Sequence, residues 1–171
     1  MKLGNWIEQP IGKHHDRQGF DCGVDALNVF LAQHARRAHI AGSSKTYIAN
    51  LSDKPNKVLG YYSLAPAHVA YADTPEVVRR RLGRHDVGMF RLGRLAVARE
   101  CHGQGLGGQL LLAAGRRCLA VAQEVGGVAL LIDAKDEAAA AWYRGYGAVE
   151  LVDAQLTLCL PLATIEKALK G

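Results

Sequence analysis

The spacing of apolar residues changes period several times along the chain, and each change marks an element. From Phe20 to His39, the apolar positions Val24, Leu27, Phe30, Leu31 and Ala35 recur at three- and four-residue intervals, which predicts an amphipathic helix. Asp21 or Cys22-Gly23 opens that helix and Gly42 stops it. Before it, Lys2–Ile11, with Leu3, Ile7 and Ile11, reads as a first strand. KTYIANL (45–51) and VLGYYSLA (58–65) read as strands joined by a hairpin loop, SDKPNK. TPEVVRRRL (74–82) predicts a short helix with Thr74 as N-cap, Pro75 at the first helical position and Glu76 in the first turn. MFRLGRLAV (89–97) is a strand, and a glycine-rich stretch then leads into a helix reaching about Val125. VALLIDA (128–134) is apolar without interruption after Gly126-Gly127, the pattern of a buried strand. DEAAAAWYRGYG (136–147) is a short helix ended by glycine, LTLCLPL (156–162) a last strand and IEKALKG a tail. Strands followed by β-loop-α-β-α-β predict a mixed α/β layer structure in one domain, 1–171.

Composition narrows the class without changing that picture. Apolar residues make up 49% and charged residues 22%, as in ordinary globular domains. No apolar run reaches the ~18 residues of a membrane span, and the N-terminus lacks the apolar core of a secretory signal. Cys22, Cys101, Cys118 and Cys159 are scattered, so neither a disulfide framework nor a metal site is expected, and a reducing cytoplasm fits. The formal charge is +5, and its distribution is uneven. Residues 79–94 hold Arg79, Arg80, Arg81, Arg84, Arg91 and Arg94 against Asp86 alone. Such a cluster suits a polyanion, and equally a solvated helix face beside sheet-edge arginines.

Candidate chemistry concentrates in CHGQGLGGQLLLAAGRR (101–117), where glycines at 103, 105, 107 and 108 run into a strong helix former. The free N–H groups of a first helical turn, together with the helix dipole, make an anion site, and glycine lets a phosphate approach the backbone closely. A P-loop would need Gly-Lys-Ser/Thr, whereas Gly107 is followed by Gly108-Gln109. Gly103, Gly105 and Gly108 match a dinucleotide fingerprint, but only 38 residues follow Asp133, too few for the βαβ units that fold requires.

Aligned instead as His102-x-x-Gly105-x-Gly107, the segment resembles the phosphate loop of the GNAT superfamily of N-acetyltransferases, Q/R-x-x-G-x-G/A between a central strand and a long helix. RLAV (94–97), GQGLGGQLL (103–111) and DEAAAAWYRGYG (136–147) follow in that family's order, and the resemblance covers about 45–162. His102 and Ala148 depart from the usual Gln/Arg and Phe. The resemblance implies a mostly antiparallel mixed sheet with splayed parallel strands, flanking helices and acetyl-CoA as cosubstrate, without a metal. It assigns backbone groups of Leu95, Ala96 and Val97 to the pantetheine arm and amides of Gly103, Gln104, Gly105, Leu106, Gly107 and Gly108 to the pyrophosphate. Tyr143 matches the tyrosine near the CoA sulfur, with Trp142 and Tyr146 as packing neighbours. A phenol near pKa ~10 stays protonated where a thiol of ~8.5 departs, so it suits that role. No general base is evident; Asp133, Glu100 and His102 are the nearest candidates.

FDCGVDALNVFLAQHARRAHIAGSSKTYIA (20–49) and LGRLAV (92–97) resemble acetyltransferase toxins of type II toxin–antitoxin pairs, with Ala98 in place of the usual acid. That resemblance implies acetylation of the α-amine of aminoacyl-tRNA, with Arg79, Arg80, Arg81, Arg84 and Arg91 neutralising tRNA phosphates, joined by Arg36 and Arg37. It further implies a ribbon-helix-helix antitoxin through which alone DNA is contacted, and a homodimer; the apolar last strand, LTLCLPL, could contribute to its interface. The alternatives are a free-standing acetyltransferase for a small-molecule or protein amine, and a non-catalytic CoA-binding partner protein.

Overall fold

The computed structural model describes residues 5–171. Seven strands, β1 (Trp6–Pro10), β2 (Lys45–Leu51), β3 (Gly60–Val69), β4 (Val87–Val97), β5 (Ala129–Asp133), β6 (Val149–Leu151) and β7 (Ala154–Pro161), form one sheet in the order β1-β2-β3-β4-β5-β7-β6. The pairs β1–β2, β2–β3, β5–β7 and β6–β7 are antiparallel and β4–β5 is parallel, so the mixed, mostly antiparallel sheet is as expected. The helices are α1 (Asp25–Val29), α2 (Ala35–Ala41), α3 (Glu76–Arg79), α4 (Leu106–Val125), α5 (Glu137–Gly145) and α6 (Leu162–Lys170). None is long and apolar enough to cross a membrane. The predicted first strand is shorter than 2–11, and Leu3 lies outside the described residues. By internal contacts the chain forms two compact units: one runs to Ala65 and takes in Arg94–Leu111, the other comprises Pro66–Gly93 and Leu112–Gly171.

In the first unit the predicted 20–39 helix is real but interrupted. A π-helical turn, Phe30–His34, separates α1 from α2. Asp21 does not cap α1: its Oδ1 accepts from the Gly23 N–H and from Asn28 Nδ2, both at 2.9 Å, and Val24 takes the N-cap position with no side-chain bond. Gly42 ends α2 as expected, at φ +83°, a left-handed conformation that glycine adopts without a Cβ clash. Leu31 and Ala35 are fully buried beneath this segment. Tyr61 of β3 is buried with them, stacked on Phe30 at 6.3 Å, edge-on to Phe20 at 5.6 Å, its hydroxyl donating to Leu27 O at 2.6 Å.

Two histidines tie this unit together in the neutral state. Buried His15 accepts the Gly12 N–H on Nδ1 at 2.9 Å, and His39 accepts the Thr46 N–H on Nδ1 at 3.0 Å. Burial, with His14 beside it, holds the His15 pKa below its ordinary value; burial and Lys45 do the same for His39. Below the ordinary value the unfolded chain takes up protons that the folded one resists, so stability is present near neutrality and falls with pH. The thermal midpoint is therefore expected to drop between about pH 7.5 and about pH 5.5, and His15→Gln to flatten part of that slope in melts followed by circular dichroism.

In the second unit β5 is buried along Ala129–Ile132, with β4 and β7 pairing its two edges, as its unbroken apolar run predicts. Val69, Val87, Met89, Ala129, Leu131 and Cys159 form one core cluster. Two expectations need correction. Thr74 does not cap a helix: its hydroxyl donates to Ala70 O at 2.9 Å, Pro75 holds the N-cap position, and α3 is only one turn long. The C-terminal tail is a helix, α6, whose Leu162 and Ile165 are buried; a Cβ on Gly115 would lie 2.5 Å from Ile165 Cγ2. LTLCLPL is an inner strand, β7, with Leu158, Cys159 and Leu160 buried between β5 and β6, so of its early leucines only Leu156 is exposed for contact with another chain.

Candidate active site

The register of β4 opens the site. Its parallel pairing with β5 comprises Phe90–Leu130, Arg91–Leu131 and Leu92–Ile132. Among the described residues, Leu95, Ala96 and Val97 have no β5 partner, which leaves extended backbone able to pair with something else. β4 is followed by a 3-10 turn, Arg99–Cys101, and the glycine loop then enters α4 at Leu106. Leu106 and Leu110 are buried and anchor the helix start. Gly60 allows close packing there, since a Cβ would sit 2.8 Å from Ala96 O and 2.9 Å from Leu110 Cδ1.

The loop leaves its amides unused. The first helical bond of α4 runs from the Gln109 N–H to Gly105 O at 3.2 Å. Among the described residues, the amides of Gly103, Gln104, Gly105, Leu106, Gly107 and Gly108 give no short, well-aligned hydrogen bond to a backbone or side-chain acceptor, residues 102–105 forming a loose turn. Gly103 and Gly105 sit at φ +77° and +83°, and the space where a Cβ would stand is open at both. Amides of this kind at the positive end of a 20-residue helix are suited to an anion.

Side chains that the glycine spacing does not reveal hold this loop open. His102 Nε2 donates to Val97 O at 2.7 Å, so the usual Gln/Arg of the motif is replaced by a ring that ties the loop back to β4. Gln104 contributes more than its amide: its side-chain Nε2 donates to Glu100 O at 3.1 Å. The signal for both is their place in the motif. Glu100, a base candidate, is ionised and weakly basic: a hydrogen bond from its own backbone N–H and the Lys57 ammonium at 3.2 Å hold its pKa below the usual range.

The second unit holds Tyr143. Asp136 caps α5, its Oδ1 accepting from the Ala139 N–H at 2.8 Å, and Arg144 bridges Glu137 and Glu150. Tyr143 lies on the buried face, 8% exposed, while Trp142 and Tyr146 are 37% and 39% exposed. Burial pushes the Tyr143 pKa up to about 12. Tyr61 and Tyr62 spend their hydroxyls on Leu27 O and Glu8, whereas that of Tyr143 has no partner among the described residues.

The arginines divide. Arg80, Arg81 and Arg84 are exposed, with no ion pair among the described residues. Arg79 braces the chain locally, since its Nη1 donates to Tyr71 O at 3.0 Å and its guanidinium lies 5.0 Å from the Tyr71 ring centroid. Arg91 and Asp133 pair with each other at the half-exposed end of the β4–β5 register, so each already faces an opposite charge. In the first unit, Arg36 and Arg37 line a surface groove with Arg17, Gln33 and Ile40.

Comparison with known proteins yields consistent relatives. The model of the acetyltransferase (GNAT) family matches residues 15–148. A "tRNA-acetylating toxin" of Mycobacterium tuberculosis is 36% identical over 133 residues, 78% of each chain. AtaT complexed with acetyl-methionyl-tRNAfMet superimposes with a TM-score of 0.88 at 29% identity, covering 96% of this chain and 99% of that one. A variant of AtaT bound to the C-terminus of the antitoxin AtaR and acetyl-CoA gives a TM-score of 0.83 at 27% identity, covering 98% and 100%.

Proposed function

The chain belongs to the acetyltransferase (GNAT) family, and on that footing we propose that 1–171 works as one N-acetyltransferase domain, a toxin that moves the acetyl group of acetyl-CoA onto the α-amine of aminoacyl-tRNA and so stops translation. The observation that carries the reading is the row of six idle amides, Gly103 to Gly108, at the mouth of α4. That row suits a diphosphate, and the stretch Leu95–Val97, left without a β5 partner though Val97 O accepts from His102, suits the amide-bearing pantetheine arm. Acetyl-CoA supplies a thioester whose sulfur must leave with a proton.

Tyr143 serves that departure. A phenol near 12 keeps its proton at any physiological pH and so stays able to hydrogen-bond the departing sulfur, whose conjugate thiol sits near ~8.5 and takes its own proton from water. The acceptor loses a proton in turn. An α-amine of pKa ~7.7–8.0 is about one-tenth neutral at pH 7 and about half neutral at pH 8, and it releases its proton to water after attack; Glu100 is too acidic to take it and Asp133 is paired. Arg80, Arg81 and Arg84, with Arg36 and Arg37, offer cations for tRNA phosphates. In the cytoplasm the chain meets a ribbon-helix-helix antitoxin whose tail covers the working surface and which alone touches DNA; the toxin itself is a homodimer. The AtaT–AtaR complex is support by analogy.

Incubation with acetyl-CoA and charged bulk tRNA, followed by mass spectrometry of the released acyl group, is expected to give N-acetyl-aminoacyl ester. Reversing Arg80, Arg81 and Arg84 to Glu should raise KM for charged tRNA at least about tenfold and flatten its salt dependence. Acetylation confined to small-molecule or protein amines, or turnover indifferent to salt, contradicts the proposal.

A further inference from the structure

Three arginines follow one another along β4 and the 3-10 turn after it, and they are treated differently. Arg91 is paired with Asp133 and Arg99 with Asp21 at 3.2 Å. Arg94 is exposed, and among the described residues no carboxylate or carbonyl accepts from it. Its guanidinium carbon instead lies 3.7 Å from the centroid of the Phe30 ring. Phe30 belongs to the π-helical turn, is itself 8% exposed, and rests on Tyr61, which the hydroxyl bond to Leu27 O fixes. The π-turn thus puts a rigid aromatic floor beneath one arginine. Local insertions of this kind recur at functional sites.

A guanidinium stacked on a ring keeps its N–H groups at the rim of the plane. Its stem loses rotamer freedom before any ligand arrives, and its five donors form the flat fork that matches a phosphate bidentately. Arg94 also stands immediately before Leu95–Val97, three extended residues or about 10 Å of strand. An acceptor amine meeting an acetyl group delivered along that strand segment brings its own terminal nucleotide with it. The nearest anion on such an acceptor is the phosphate of the nucleotide carrying the amino acid, far from the stem phosphates that an exposed surface patch would neutralise.

We infer that Arg94, held flat on Phe30, binds the phosphate of the 3′-terminal nucleotide of the aminoacylated acceptor. This rests on the aminoacyl-tRNA reading and adds a subsite to it: the site grips the acceptor at its end as well as along its stem.

The test uses two acceptors with the full-length protein, charged tRNA and a short aminoacylated CCA trinucleotide, and reads KM, kcat and acetyl-CoA affinity separately. Arg94→Ala is expected to raise KM about tenfold for both acceptors and to leave acetyl-CoA affinity within about twofold, whereas reversal of Arg80, Arg81 and Arg84 should impair only the tRNA. Arg94→Lys, which keeps charge and fold but not the fork, should recover only part of the loss, and Phe30→Leu should mimic it. Unchanged KM for the trinucleotide, full recovery by lysine, or an equal loss of acetyl-CoA affinity would overturn the inference while the wild type still acetylates charged tRNA. A wild type that acetylates neither acceptor would fell the parent reading, and this inference with it.

Discussion

Tyr143→Phe is expected to lower kcat and kcat/KM together by tenfold or more, on the order of 1.4 kcal/mol of transition-state stabilisation, with acetyl-CoA affinity unchanged. The substitution keeps the ring on the buried face of α5 and removes only an oxygen with no partner among the described residues. If Tyr143 were a packing residue like its neighbours, deleting that oxygen would leave turnover intact. The pH profile gives an independent handle. With the phenol near 12 and an α-amine acceptor near ~7.7–8.0, kcat/KM should rise to about pH 8 and then stay level to about pH 10; a lysine-type amine would keep it rising through ~10.4. Steady-state rates of wild type and variant across that range check both statements.

Gly105→Asp is expected to abolish acetyl-CoA binding, at least about a hundredfold in Kd by calorimetry, without unfolding the protein. Two effects of opposite sign act on the fold. The φ of +83° disfavours any Cβ, although aspartate tolerates the left-handed region better than most residues. Against that, a carboxylate at the start of α4 is stabilised by the helix dipole and can itself accept from the idle amides. For the diphosphate both effects are losses: a like charge stands in its place, and several charge-assisted bonds of ~1.5–3 kcal/mol each disappear. The expected signature is lost binding with a nearly unchanged thermal midpoint. Gly105→Ala, which adds strain but no charge, should weaken binding less.

How much is legible in the sequence follows from how local each cause is. β2 and the C-terminal end of α4 fall where their patterns place them, because strand pairing and helix caps are written in neighbouring residues. β5 is legible for a tertiary reason that leaves a local trace: burial on both faces gives an unbroken apolar run. The glycine loop and its entry into α4 are legible because main-chain conformation there follows from glycine spacing, whereas the His102 and Gln104 side-chain bonds that brace the loop are not. What escapes depends on partners far along the chain. Arg91 reads as a free cation until the parallel register of β4 and β5 sets Asp133 beside it, and Arg79 until Tyr71 folds under its guanidinium. α6 hides because its buried face is carried by Leu162 and Ile165, too short a pattern for periodicity, and because the space it fills is made by Gly115 on another helix. The π-turn under Arg94 leaves the apolar spacing of 24–35 nearly intact, so no sequence pattern announces it.

A crystal structure with acetyl-CoA bound tests the central claim most directly. The account predicts the diphosphate within hydrogen-bond distance of the amides from Gly103 to Gly108, the pantetheine arm paired along Leu95–Val97, and the sulfur beside the Tyr143 hydroxyl. A ligand whose diphosphate lies elsewhere, with those amides still idle, would contradict it.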